Sequence, residues 1–158
     1  SNKAVIIGSN IQEFNLKPYD LSRIRKVPAS FNQINNFKFY RNPFNHMTVG
    51  FLKSVILEKG GYKDMPGYED YYLWMRVLKD YEGINLTNSL VHARVGNDMI
   101  GRRHGFIFFK NELRFQIRLL NEGLTSLPIC IKNIFLRGVP RLLPKQILEL
   151  IYNKFLRK

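Results

Sequence analysis

The chain has 158 residues, 45% of them hydrophobic and 13% aromatic, which is the length and apolar content of one globular domain with a real core and excludes a short peptide or a disordered tail. Its 25 Lys and Arg against 12 Asp and Glu give a formal charge of +13, a bias that suits a polyanion such as nucleic acid, anionic lipid or a phosphate-bearing substrate without choosing among them. The lone cysteine, Cys130, excludes an intrachain disulfide and makes a reducing compartment the default.

Ala4 to Ser9 is a short β-branched run broken by Gly8 and predicts a buried strand, after which Asn10 to Asn42 is polar, basic and irregular, with a short element inside it. His46 to Phe51 alternates like a strand. Ser54 is expected to cap a short helix that stops at Gly60-Gly61. A turn through Asp64-Met65-Pro66-Gly67 then leads into a helix from about Glu69 to Lys79. There Asp70, Leu73, Trp74, Val77 and Leu78 share one stripe, so Asp70 lies on the face that should turn inward.

Ile84 to Arg94 reads as extended structure interrupted at Asn85 to Ser89. Phe106, Phe109, Leu113, Ile117 and Leu120 mark one face of a longer helix that Gly123 ends. Two more helices are predicted, at about Ile129 to Leu136 and about Lys145 to Leu156, with Gly138, Pro140 and Pro144 as punctuation. The fold class is α+β, weighted to helix, with a boundary expected between residues 1–122 and a basic, amphipathic tail at 123–158. From Cys130 to Lys158 seven bases face one acid, Glu149, and residues 140–158 have the composition of a helix that packs on a core or lies in a bilayer interface. No stretch reaches the roughly 18 uninterrupted apolar residues that a membrane-spanning helix requires.

The acids Glu69 and Asp70 carry the chemistry. A carboxylate in the first turn of a helix is stabilised by free N–H groups and the helix dipole. Asp70, however, sits on the apolar stripe, and burying a charge without a task is expensive. A carboxylate so placed can act as a general base toward a hydroxyl nucleophile. Phe37-Lys38-Phe39-Tyr40-Arg41, with aromatics beside bases, leaves a nucleic-acid-binding module open as an alternative. A non-enzymatic interaction domain, indifferent to Glu69 and Asp70, also stays open.

Several segments, in order, resemble the bacterial family 2 glycosyltransferases of the GT-A type, which build capsular and lipopolysaccharide chains. They are Val5 to Phe14, Asn42-Pro43-Phe44-Asn45-His46 with the strand to Lys53, Gly60-Gly61-Tyr62, Glu69-Asp70-Tyr71-Tyr72-Leu73-Trp74, and the basic loop Val95 to Arg103. They span roughly residues 4 to 120. The resemblance implies that Asp70 is the catalytic base of an inverting transfer, with Glu69 orienting the acceptor or bracing Asp70. It further implies that Asn45, His46, Trp74, Arg102 and Arg103 are substrate contacts, the two arginines toward the diphosphate or the phosphates of a lipid-linked acceptor.

The family binds its nucleotide-sugar and a divalent Mg or Mn ion through an N-terminal half carrying an Asp-x-Asp element. Neither that element nor a glycine-rich phosphate loop is found here, and His46, His92 and His104 lack metal-ligand spacing. The chain is therefore expected to be the acceptor-side part of a longer enzyme, to hold no metal itself and to be inactive alone. The expected partners are a nucleotide-sugar donor and a saccharide or lipid-linked acceptor, with no nucleic acid. The expected location is cytoplasmic, peripheral on the inner face of the cytoplasmic membrane. Donor sugar, acceptor, linkage and oligomeric state are not written in these residues.

Overall fold

The structure, a computed structural model, describes residues 4–95 and 105–143. It is mixed helix and sheet, in agreement with the α+β expectation, and divides into two compact units, Ser1–Gly96 and Asn97–Lys158. That division falls earlier than the 122/123 boundary expected from sequence, so the helix ending at Asn121 belongs to the second unit.

In the first unit the central strand is β1 (Ile6–Phe14), longer than the predicted Ala4–Ser9 run because Asn10, Ile11 and Glu13 are buried as well. One edge of β1 pairs in parallel with β4 (Gly83–Arg94) over the whole of its length. On its other edge two short antiparallel strands follow each other: β3 (Gly50–Phe51) opposite Ile7 and Ile6, and β2 (Arg23–Arg25) opposite Glu13, Gln12 and Ile11. The expected interruption of Ile84–Arg94 is absorbed as a register shift between Ser9 and Ile11, and the strand continues through it. Asn10 makes this possible, since its Nδ2 donates to Thr87 O at 2.7 Å and its Oδ1 accepts from Val27 N at 2.9 Å. One carbonyl of the irregular stretch, Thr87 O, is thereby satisfied by a side chain.

Helix α1 (Phe31–Phe37) starts at a reciprocal cap: Gln33 N donates to Ser30 Oγ, and Gln33 Oε1 accepts from Ser30 N at 3.1 Å. Helix α2 (Lys53–Glu58) starts one residue before Ser54, with Leu52 at the cap position. Ser54 is not the cap because Leu52 N is already tied to Val5 O at 3.0 Å while Leu52 O accepts from Ile56 N. Sheet contact therefore overrides the polar capping signal. Helix α3 (Glu69–Val77) forms where the sequence places it, and every residue from Tyr71 to Val77 is buried. Leu73, Trp74, Val77 and Leu78 join Val5, Ile6, Ile34, Phe44, Val55 and Ile56 in the core between helices and sheet.

Two glycines are required by proximity. A Cβ at Gly8 would lie 2.2 Å from Asn85 Oδ1, and one at Gly83 would lie 2.7 Å from Phe44 Cζ. Both keep the loop bearing Pro43 and Phe44 close against β1 and β4.

In the second unit α4 (Phe106–Asn121) and α5 (Leu127–Asn133) are followed by a π-helical turn, Ile134–Gly138, and a 3-10 turn, Val139–Leu142. Gly123, at φ 65°, ends the α4 segment as expected. The buried face of α4 differs from the expected one: Glu112, Phe115, Gln116 and Leu119 are buried, whereas Phe106 and Ile117 are exposed. The reason is a polar cluster. Glu112 Oε2 stands 3.3 Å from Arg137 Nη2 and 3.2 Å from Arg141 Nη2, its Oε1 accepts from Gln116 Nε2, and Gln116 Oε1 accepts from Asn133 Nδ2. Buried polar groups paired in this way are invisible to a hydrophobic-period reading. The helix predicted at Lys145–Leu156 lies outside the described residues.

Candidate active site

The site forms where the Asn42–Thr48 loop meets the start of α3. Asn42 folds onto its own loop, its Oδ1 accepting from Phe44 N at 3.1 Å, a local closure that asparagine favours. Its Nδ2 then donates to Asp70 Oδ2 at 2.8 Å, across 28 residues of sequence. The loop is held from behind, because Asn85 Nδ2 donates to Pro28 O and Pro43 O and because Phe44 packs edge-on to Trp74 at 5.8 Å.

His46 to Thr48 is a 3-10 turn and not the strand expected from alternation; only Gly50–Phe51 pairs with β1. Thr48 decides this: its N–H and its hydroxyl both return to Asn45 O, at 2.8 and 2.9 Å. The same hydroxyl accepts from Ser9 N at 2.9 Å, and Asn45 Nδ2 donates to Ser9 O at 2.9 Å and to Arg25 O at 3.3 Å. The turn thus plugs the gap between β3 and β2 along β1. Asn45 is buried there as a brace, and its Oδ1 has no hydrogen-bond partner.

At α3, Gly67 takes φ 79° and donates its N–H to Glu69 Oε1 at 3.1 Å. Asp70 Oδ1 accepts from Tyr71 N at 2.7 Å, and Asp70 Oδ2 lies 3.8 Å from His46 Nδ1. The Asp70 side chain keeps 26% of its surface open to solvent and that of His46 keeps 60%. Each carboxylate oxygen has about two acceptor positions, so the two hydrogen bonds Asp70 makes leave it capacity toward an incoming hydroxyl. Tyr62 flanks the group, its ring edge-on to His46 at 6.5 Å. Burial, and secondarily the negative charge of Asp70, pushes the Tyr62 phenol above its ordinary range.

Two residues that were not singled out as site residues in the sequence hold this geometry. Asn42 is one. Arg76 is the other: buried on α3, it donates to Lys59 O and, at 2.6 Å, to Gly61 O, while its guanidinium lies 4.7 Å over the Tyr72 ring. It fastens the Gly60-Gly61 turn, where both residues have positive φ, immediately before Tyr62.

The sequence candidates therefore separate. Asp70 and His46 come together, and Glu69 is exposed beside them. Asn45 faces the sheet. Trp74 has no exposed surface; it lies in the core between Phe44 and Phe51, so its role here is packing and not contact with a substrate. Arg102 and Arg103 lie outside the described residues. Within Phe37–Arg41, Lys38 is buried with Nζ on Leu78 O at 2.8 Å, and burial lowers the pKa of its amine. It is not presented to a nucleic acid. Among the described residues no group of three or more His, Cys, Asp or Glu side chains is placed to hold a metal ion.

Comparison with known proteins finds similarity to bacterial proteins named as glycosyltransferases. The chain is 40% identical over 159 residues to an uncharacterised glycosyltransferase of Haemophilus influenzae, covering 99% of this chain and 58% of that protein. It is 30% identical over 156 residues to the amylovoran biosynthesis glycosyltransferase of Erwinia amylovora, covering 96% of this chain and 57% of the relative. It is 36% identical over 154 residues to the UDP-Gal:alpha-D-GlcNAc-diphosphoundecaprenol beta-1,3-galactosyltransferase of Escherichia coli, covering 97% and 56%. The chain thus spans a little over half the length of the curated relatives it matches. No protein-family model and no solved structure matches it.

Proposed function

With bacterial homologues named as glycosyltransferases along nearly all of its length, one of them of amylovoran biosynthesis, we propose that this chain is the acceptor-side part of an inverting, family 2, GT-A glycosyltransferase of polysaccharide biosynthesis in which Asp70 is the general base. The carrying observation is Asp70 itself: a carboxylate at a helix start, fixed by Asn42 Nδ2 and Tyr71 N–H, a quarter exposed and beside His46. The acceptor hydroxyl oxygen attacks the anomeric carbon, the bond to the nucleotide diphosphate breaks with its electron pair leaving on the phosphate, and the hydroxyl proton passes to Asp70. Displacement in one step from the opposite face inverts the anomeric centre.

In this reading Glu69, exposed beside Asp70, orients acceptor hydroxyls, and His46 contacts the acceptor or the leaving diphosphate. Arg102 and Arg103 are proposed as phosphate contacts. The nucleotide-sugar and a divalent Mg or Mn ion would be held by a donor-binding part outside this chain, so the chain alone is expected to be inactive. The name of the Escherichia coli relative supports a saccharide carried on a lipid diphosphate as acceptor. Work on such an acceptor suits a cytoplasmic enzyme peripheral to the membrane, with residues 140–158 as one contact; no helix among the described residues is long and apolar enough to cross a bilayer.

The deciding experiment is Asp70→Asn in the full-length enzyme, assayed with nucleotide-sugar and lipid-linked acceptor. Transfer should fall about a thousandfold, within the usual range for loss of a general base, with the circular dichroism unchanged. A variant that keeps most of its activity overturns the assignment.

A further inference from the structure

The loop joining β1 to β2 exposes the two most solvent-accessible large hydrophobic residues among those described, Leu16 at 80% and Tyr19 at 77%. Tyr19 also holds φ 70°, the one non-glycine residue with positive φ among those described. For a bulky side chain that conformation is strained and persists only where its surroundings enforce it.

The surroundings do enforce it. Asp20 Oδ1 accepts from Asn15 N at 2.8 Å, and Asp20 Oδ2 accepts from Leu16 N at 2.6 Å and Lys17 N at 3.2 Å. These N–H groups, that of Asn15 foremost, hold the Asp20 carboxyl below its ordinary pKa. Gln12 Nε2 bridges Leu21 O and Arg23 O on the return side, Arg94 Nη2 reaches Leu16 O at 3.4 Å, and the His92 ring meets Tyr19 edge-on at 4.5 Å. The tip is braced from three sides with its apolar side chains directed outward. Ordering costs that usually oppose association are thus largely met before any partner arrives.

The charge around the tip is predominantly positive. Lys17 lies within it, Arg23, Arg25 and Lys26 are exposed on and after the returning strand, and Arg94 is exposed on β4. The neighbouring acids are both engaged, Glu13 with Arg23 at 3.5 Å and Asp20 with the tip's own N–H groups. Exposed Leu and Tyr on a rigid point ringed by cations match the interface of an anionic bilayer, where apolar tips enter the acyl boundary and cations lie against headgroups. We propose that the β1–β2 tip, through Leu16 and Tyr19, is a site of contact with an anionic lipid surface. This stands apart from the transferase reading and does not need residues 140–158.

The test uses the 158-residue chain with vesicles of phosphatidylcholine alone or containing phosphatidylglycerol. A Leu16→Cys variant labelled with an environment-sensitive fluorophore should shift its emission to the blue on anionic vesicles and not on neutral ones; Cys130 is buried and stays unlabelled. The double variant Leu16→Asp/Tyr19→Asp should bind anionic vesicles about tenfold more weakly, in keeping with loss of two apolar anchors, with its circular dichroism unchanged. Chain that sediments with vesicles without a blue shift, or a folded double variant of undiminished affinity, overturns the proposal. So does a shift that appears without vesicles as protein concentration rises, which assigns the tip to a second copy of the chain. If the double variant does not fold, the labelled single variant decides alone.

Discussion

Asn42 closes its own turn through Oδ1 on Phe44 N and, with the other end of the same amide, donates to Asp70 Oδ2 at 2.8 Å. One short side chain thus fixes both the loop that carries His46 and the carboxylate that His46 faces. Asn42→Ala should therefore act through orientation. In the full-length enzyme we expect kcat to fall about tenfold, corresponding to loss of one hydrogen bond to a charged group, on the order of 1.5 kcal/mol. Acceptor KM should change less. Steady-state kinetics of Asn42→Ala and of Asn42→Gln, whose longer amide should restore little, check this.

Tyr62 and Asp70 are coupled through charge. Because burial is the larger cause of the raised Tyr62 pKa and the Asp70 charge a lesser one, Asp70→Asn should lower the Tyr62 pKa while leaving it above the ordinary phenol value. A negative charge disfavours tyrosinate, so its removal can only move the titration down. Carbon-13 NMR of ring-labelled tyrosine across alkaline pH, with Tyr62→Phe for assignment, gives the answer; an upward or absent shift contradicts the geometry.

Gly8→Ala should be costly for so small a change. The new methyl would meet Asn85 Oδ1 at 2.2 Å, and Asn85 is fixed by its bonds to Pro28 O and Pro43 O. We expect a loss of about 2 kcal/mol, typical of overpacking, read from urea unfolding. Because the displaced amide supports Pro43, activity should fall along with stability.

Glu112→Ala removes the acceptor of two arginine contacts from the centre of the second unit. Removing one partner of a buried ionic cluster costs about 3 kcal/mol. Hydrogen exchange along α4 should accelerate accordingly, while exchange in β1 and β4 should not change. Glu112→Gln, which keeps one acceptor but loses the charge, should fall between the two.

Legibility from sequence followed the range of the interactions. The helix at Glu69, its inward stripe and the Gly60-Gly61 stop are local patterns, and they appear where the periodicity and the glycines put them. Asp70 could be singled out for the same reason, as an acid out of place on an apolar stripe. Asn42 could not, because its meaning is a bond across 28 residues of sequence, and Arg76 could not, because its partners are main-chain carbonyls on a distant turn. Trp74, implied as a substrate contact by the resemblance, lies on the helix stripe that periodicity turns inward, and it is buried in the core. At Thr48 alternation suggested a strand, and a hydroxyl that returns to the backbone made a turn instead. On α4 a buried Glu–Arg cluster rotated the inward face away from the most apolar one.

The same Asn45–Thr48 turn has a consequence for solubility. Strand β1 would otherwise offer an incoming chain two unpaired main-chain groups between β3 and β2, the kind of opening through which sheets of separate molecules join. Thr48 Oγ takes the Ser9 amide and Asn45 Nδ2 takes the Ser9 carbonyl. The loop that presents His46 thus also seals the sheet margin against stray strands, and substitutions at Asn45 or Thr48 should register first as aggregation.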